Sequence, residues 1–244
     1  MHQLNQSTRA PKGFVKEKTK IKTDRLKEEI AEYQRILFAE SKRSLLIVLQ
    51  GIDGSGKDGL IADVFTGLNP FGVNVSAFKA PSEEELAHDF LWRVHQECPP
   101  RGNIQIFNRS HYEDILVPCV NKWIDEKVIR QRMKDINHFE NMLENNGTVI
   151  LKFYLHVSKE EQAARLKERK TNPEKYWKHN DDDWKARRKW DRYMQTYELI
   201  FKHCNAVPWN IVPADQNWYK EYLVAVQVRD ALRKMKLKFP TLKG

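Results

Sequence analysis

The chain has 244 residues, 41% of them hydrophobic and 31% charged, enough to bury a full core and few enough for a single domain. Its formal net charge of +9, from 42 Lys and Arg against 33 Asp and Glu, calls for an anionic partner such as nucleic acid, a membrane surface or a phosphate polymer. The start lacks an apolar signal core, no run approaches the roughly eighteen apolar residues of a membrane span, and Cys98, Cys119 and Cys204 stand alone. An exported, membrane-embedded or disulfide-built protein is thereby set aside, and a reducing cytosol is expected.

Residues 1–21 are polar and basic, with Pro11 and Gly13 early, and read as a flexible arm ahead of one domain over 22–244. From Asp24 to about Glu40, Leu26, Ile30, Tyr33 and Leu37 recur at four, three and four residues, the stripe of an amphipathic helix. The run 45–50, LLIVLQ, is apolar on both faces, as a central parallel strand requires. A helix over 57–68, a strand over 73–81, a helix over 83–97 with Leu86, Phe90, Leu91 and Val94 inward, and a strand over 104–107 follow. A long helix over 125–144 then leads through a turn at 145–147 into a strand over 149–157. Ser158 is placed to cap a helix over 159–170, and a strand over 209–214 precedes a last helix from Asn217. Strands separated by helices predict an α/β fold with a parallel sheet covered on both faces and ligands beyond the carboxyl ends of the strands.

Between the first strand and its helix, Gly51, Gly56 and Lys57 fit G-x-x-x-x-G-K. Gly51, Gly54, Gly56 and Gly59 let backbone N–H groups, together with Ser55, turn toward a phosphate, and Lys57 adds a mobile charge. A plain tight turn would leave these glycines without a common purpose. Asp58 departs from the pattern, because a Ser or Thr normally stands there to ligate Mg²⁺. Asp53 is the better carboxylate for metal work, and Asp58 reads as a helix-start residue favoured by the dipole.

Past the third strand, 108–114 places Asn108, Arg109, Ser110, His111, Tyr112, Glu113 and Asp114 where an α/β site collects reactive groups. Arg109 can hold a phosphate with its fork of donors, and Glu113 or Asp114, with Asp114 preferred, can complete the shell of a Mg²⁺. An ordinary ion-pair network is the competing reading. His111 among aromatic neighbours reads as a packed residue rather than a phosphorylated intermediate. Over 165–192, eleven Lys or Arg and six Asp or Glu are interleaved with Tyr176, Trp177, Trp184 and Trp190, which suits a lid that closes on a highly charged donor. Arg165, Arg169, Lys178, Arg187, Arg188 and Arg192 are its candidate phosphate ligands, against a solvated helix pair as the alternative. Single-stranded nucleic acid could use the same mixture, but the phosphate loop would then be idle, so no nucleic-acid partner is expected.

Five stretches carry a resemblance: GIDGSGKDG at 51–59, GLNPFGVNVSAFKAPSEEELAHDFLWRVHQ at 67–96, IFNRSHYEDILV at 106–117, NPEKYWKHNDDDWKARRKWDRY at 172–193 and VPADQNWY at 212–219. In this order they closely resemble the second family of polyphosphate kinases. The resemblance implies a thymidylate-kinase-like P-loop kinase fold with a helical basic lid, dependence on Mg²⁺ with Mn²⁺ as its substitute, and a basic channel for inorganic polyphosphate. It implies Asp53 and Asp114 as metal-site carboxylates, Lys57 as the loop lysine, Arg109 as a phosphate ligand and Glu113 beside the nucleotide phosphates. Asp58 then belongs to the family's loop.

The NRSHYED form of the second motif is most similar to single-domain members that accept both AMP and ADP, although Ile52 stands where those relatives usually show Met. Adenine nucleotides, guanine nucleotides as a further class, and a homodimer or homotetramer are implied by the resemblance alone. The expected reaction is reversible phosphoryl transfer between polyphosphate and ADP or AMP. An ATP-dependent nucleoside monophosphate kinase and a non-catalytic phosphate or nucleic-acid binding module are the rivals.

Overall fold

The structure, a computed structural model, describes residues 3–242. After a 3-10 turn at Gln3–Asn5 the chain runs through α1 (Lys16–Glu40), β1 (Ser44–Gln50), α2 (Lys57–Val64), β2 (Val73–Ala77), α3 (Glu83–Ala87), α4 (Trp92–Gln96) and β3 (Ile104–Asn108). It continues through α5 (Glu113–Asn121), α6 (Glu126–Asn145), β4 (Thr148–His156), α7 (Lys159–Thr171), α8 (Asp181–Arg187), α9 (Trp190–His203), β5 (Trp209–Pro213) and α10 (Asn217–Lys234). The strands form one five-stranded sheet in the order β2-β3-β1-β4-β5, and every pairing is parallel. All residues of β1 are buried, because helices cover both sheet faces.

Its neighbours β3 and β4 lie on opposite sides, so the chain leaves the carboxyl ends of β1 and β3 in different directions and opens a crevice there. Among the described residues no helix is long and apolar enough to cross a membrane.

Several elements differ from the sequence expectation for local reasons. α1 starts at Lys16, within the stretch read as an arm, because Thr19 and Thr23 are buried and return their hydroxyls to the carbonyls of Val15 and Thr19. Ahead of it, Thr8 exchanges hydrogen bonds with Asp215, Ala10 donates to Gln216, and Phe14 meets Tyr219 edge-on at 4.9 Å. The segment therefore lies along the start of α10, and α10 in turn packs along α1.

The helix expected over 83–97 is two short ones. Ser82 caps α3 with a full capping box, and Asp89 accepts from Leu91 N–H to begin a new turn, so Leu86, expected inward, is 68% exposed. α5 was not expected; Ile115, Leu116 and Val120 bury its inner face despite Pro118 inside it.

Candidate active site

The loop between β1 and α2 is shaped by glycines at positive φ, 84° at Gly54 and 89° at Gly56. At Gly56 two causes converge: a Cβ would be strained at that φ and would lie 2.6 Å from Lys220 Nζ and 3.3 Å from Arg165 Nη1. Gly56→Ala is expected to lower Tm by about 2–8 °C, from roughly 1–2 kcal/mol for a left-handed alanine, and to slow phosphate-dependent turnover with it. A thermal melt beside an activity assay reads both, and an unchanged Tm would contradict this account.

Lys57 lies within the loop, its Nζ donating to Gly51 O at 2.6 Å. Burial and Arg109 push its ammonium below the ordinary lysine range, with Asp53 opposing.

Arg109 follows β3 with φ 64°, a left-handed conformation that costs a non-glycine residue energy and aims its side chain across the crevice. Its backbone N–H stays on the sheet through Leu49 O at 3.0 Å, and its guanidinium forms an ion pair with Asp53. Burial works against the Asp53 carboxylate, but Arg109 and Lys57 prevail and hold it below the usual aspartate value. Likewise burial opposes the Arg109 charge, while Asp53 and Glu113 hold it above the ordinary arginine range. Burial dominates at Glu113, which sits above the usual carboxylate range despite Arg109 and Lys57.

Asp58 Oδ1 accepts from Asn108 Nδ2 at 2.9 Å, and Oδ2 meets Lys178 Nζ at 3.3 Å. Its carboxylate thus ties the first turn of α2 to the distant segment between α7 and α8.

Asp114 is placed apart from this group. Its carboxylate binds Arg93 Nη2 at 3.0 Å and belongs to the wall of neither cavity described below. Arg165 is no free cation either: its guanidinium donates to the carbonyls of Gly54, Ser55, Ala214 and Asp215 at 2.7–3.2 Å and pairs with Glu161. It brackets the phosphate loop and also lines the larger of the two cavities described below.

Arg169 donates to Asp183 at 2.6 Å and to Lys178 O; burial, aided by Asp53, raises the Asp183 carboxyl to about 6. Arg187 holds Lys159 O and Gln162 Oε1 at 2.7 Å. Arg188 and Arg192 are exposed and border neither cavity. His111 is fully buried against Glu140 at 3.3 Å.

Two cavities meet over the loop. The larger, about 540 Å³, is walled by the loop backbone and by Lys57, Lys79, Arg169, Lys178 and Lys220, with Trp177 on its rim. The smaller is aromatic on one side, with Trp190, Tyr193 and Tyr197, and carries Glu113. Asp53 and Arg109 stand in the walls of both.

Sequence reasoning missed Lys220, Asp183, Gln162 and the two tyrosines. Gln162, buried, donates to Asp53 O at 2.8 Å and fixes that residue's backbone. For Lys220 a signal existed: it stands four residues before Val224 and eight before Val228, on the buried stripe of α10.

A parallel sheet in this order, a phosphate loop after its central strand and a basic cavity above it define a P-loop phosphotransferase. The family described as Polyphosphate kinase 2 (PPK2) matches residues 14–240, and this chain belongs to it. It is 46% identical over 217 residues to the AMP/ADP-polyphosphate phosphotransferase of Meiothermus ruber, covering 88% of this chain and 81% of that protein. With the ADP-polyphosphate phosphotransferase of Rhodopseudomonas palustris the identity is 37% over 227 residues, 87% and 78% of the two chains. The crystal structure of Polyphosphate Kinase 2 from Arthrobacter aurescens TC1 superposes with a TM-score of 0.92 at 36% identity, over 98% of this chain and 93% of the other.

Proposed function

We propose that the protein transfers phosphoryl groups between inorganic polyphosphate and the nucleotides ADP and AMP. Polyphosphate occupies the larger basic cavity, and the nucleotide enters the smaller one with its base against Trp190 and Tyr193. The observation that carries this reading is the wall common to both cavities. Asp53 and Arg109 stand where two phosphate termini approaching from opposite sides would meet.

The accepting phosphate oxygen is already anionic, so in-line transfer needs positioning and charge neutralisation rather than a strong base. Arg109 spans donor and acceptor oxygens, Lys57 and the loop N–H groups hold the donor's terminal phosphates, and Glu113 faces the acceptor side. The segment over 165–192, with Arg169 and Lys178 on the cavity wall, closes over the chain as a lid.

Mg²⁺, or Mn²⁺ in its place, suits this site. Such ions are held by one or two carboxylates and completed by substrate phosphates, and no cluster of three or more metal-ligating side chains occurs among the described residues. Asp53, kept ionised at the junction, would hold the ion, which supplies charge neutralisation on the phosphoryl oxygens. A direct role for Asp114 requires its ion pair with Arg93 to open. The free thiols Cys98, Cys119 and Cys204 suit a reducing cytosol.

Purified protein with Mg²⁺, long-chain polyphosphate and ADP, free of ATP, is expected to form ATP, followed by chromatography. AMP is expected to give ADP, and GDP to give GTP, because aromatic stacking accepts either purine. Transfer from ATP to AMP with none from polyphosphate would replace this reading with an ordinary nucleotide kinase.

A further inference from the structure

We infer that Lys220 is a donor-side phosphate ligand, which contacts the polyphosphate chain beside the loop and sets affinity for the polymer rather than for the nucleotide. This rests on the assignment of polyphosphate to the larger cavity. Lys220 lies in the first turn of α10, 1% exposed, and is one of the residues that line that cavity. An ammonium has three hydrogens to donate. Two acceptors are in place, Gly56 O and Asn217 Oδ1, each at 3.0 Å.

Among the described residues no carboxylate pairs with it directly. Of the other cations in the same wall, Arg109 is paired with Asp53, Arg169 with Asp183 and Lys178 with Asp58, while the loop lysine Lys57 and the exposed Lys79 share with Lys220 the lack of a carboxylate partner among the described residues. A buried ammonium without a counter-ion is costly, and an anion entering the cavity offsets that cost. Gly56 O, to which Lys220 is bonded, belongs to the residue that opens α2, so the ammonium stands next to the backbone N–H groups that receive phosphate. The smaller, nucleotide-side cavity does not include it.

The groups facing Lys220 are Lys57 and Asp63 on α2, Arg165 on α7 and Glu221 on its own helix. Burial and Arg165 together push its ammonium down to about 8, with Glu221 and Asp63 opposing. The charged form that binds phosphate is therefore present below about pH 8 and is lost above it, whereas a bound phosphate stabilises it. Polyphosphate affinity should thus weaken as pH rises through this window, by up to tenfold per unit for one linked proton.

The test is calorimetric binding of polyphosphate of defined length, and separately of ADP, to the wild type, Lys220→Gln and Lys220→Arg between pH 7 and 9.5, with Tm recorded for each. Gln keeps a donor for Gly56 O but no charge. At pH 7 Lys220→Gln is expected to bind polyphosphate about tenfold or more weakly, the scale of one charge-assisted hydrogen bond. Its ADP affinity should be unchanged, and its deficit should shrink toward pH 9.5; Lys220→Arg should retain affinity without the alkaline loss. Equal weakening of both ligands, or none, would reduce Lys220 to a bracket for the loop and overturn the inference. A wild type that binds ADP but not polyphosphate would overturn the cavity assignment itself, and Lys220's role with it.

Discussion

Asp53→Asn is expected to slow phosphoryl transfer from polyphosphate to ADP by roughly a hundred- to a thousandfold, the scale of removing one preorganised charge-stabilising group from an active site, while Tm moves by no more than about 4 °C. The two halves of this expectation come from different features of the residue. Its backbone carbonyl is held by Gln162, which the substitution leaves alone, and Asn has the same shape. The ion pair with Arg109 joins side chains that are 31% and 36% exposed, and such a pair contributes at most about 1 kcal/mol to stability.

Function depends on the lost charge itself. Arg109 and Lys57 keep this carboxylate ionised against burial, so it is anionic at neutral pH, where it can hold a divalent cation and aim Arg109 at the junction of the cavities. Steady-state rates with Mg²⁺ and polyphosphate, beside a thermal melt, provide the comparison. Near wild-type turnover would remove Asp53 from the chemistry, and a fall in Tm beyond ten degrees would show that the loop had collapsed instead.

The sheet and the loop were legible because their signals are local. Seven consecutive buried residues make β1, and spaced glycines at its end turn the backbone toward phosphate. What escaped reading depends on pairs far apart in the chain. Asp58 looked like a helix-start residue, and it does stand in the first turn of α2, but its carboxylate also meets Lys178, 120 positions away. Arg165 was grouped with mobile lid cations because it begins a basic run. The structure ties its guanidinium to carbonyls of the loop and of the residues after β5 while keeping it in the wall of the larger cavity, an arrangement visible only in three dimensions.

Asp183, one of three consecutive aspartates, was indistinguishable by sequence; only burial and Arg169 separate it from Asp181 and Asp182. Lys220 was obscured by a habit of reading lysine as surface, although its place on the stripe of Val224 and Val228 implied the reverse.

Lys152→Met is expected to have the largest effect on stability, a loss of about 3–5 kcal/mol that corresponds to roughly 6–20 °C in Tm for a domain of this size. Lys152 and Glu140 are both fully buried. The ammonium donates to Glu140 Oε2 at 2.7 Å, Tyr112 OH at 2.7 Å and Cys204 O at 3.0 Å, so all three hydrogens are used. Glu140 Oε1 accepts from Tyr112 OH at 2.7 Å and lies 3.3 Å from His111 Nε2.

Methionine fills much of the volume but leaves a carboxylate buried without its ammonium, and that uncompensated charge is the cause of the loss. Removing both charges, as in Lys152→Met with Glu140→Leu, should recover most of the stability, since an apolar pair of similar volume carries no such penalty. Recovery of less than half would place the cost in the buried Tyr112 OH and His111 Nε2 left without partners, and in packing around Trp209, whose ring lies 4.9 Å from Lys152 Nζ.

The difference between wild type and Lys152→Met should also narrow in acid. Burial opposes the Glu140 charge, but His111 and Lys152 hold its carboxyl below the ordinary 4.5. Its contribution is therefore complete above that value and is lost as pH falls through the lower, folded one.

The network bears on function through one connection. His111 and Tyr112, its members, occupy the turn between Arg109 and Glu113, so the pair that anchors this turn from beneath also fixes the two residues to which the proposed mechanism gives the reacting phosphates. The double variant should then melt close to the wild type yet transfer phosphate more slowly, through kcat rather than KM. Wild-type kcat in a protein of restored Tm would show that the turn holds its geometry without the buried pair.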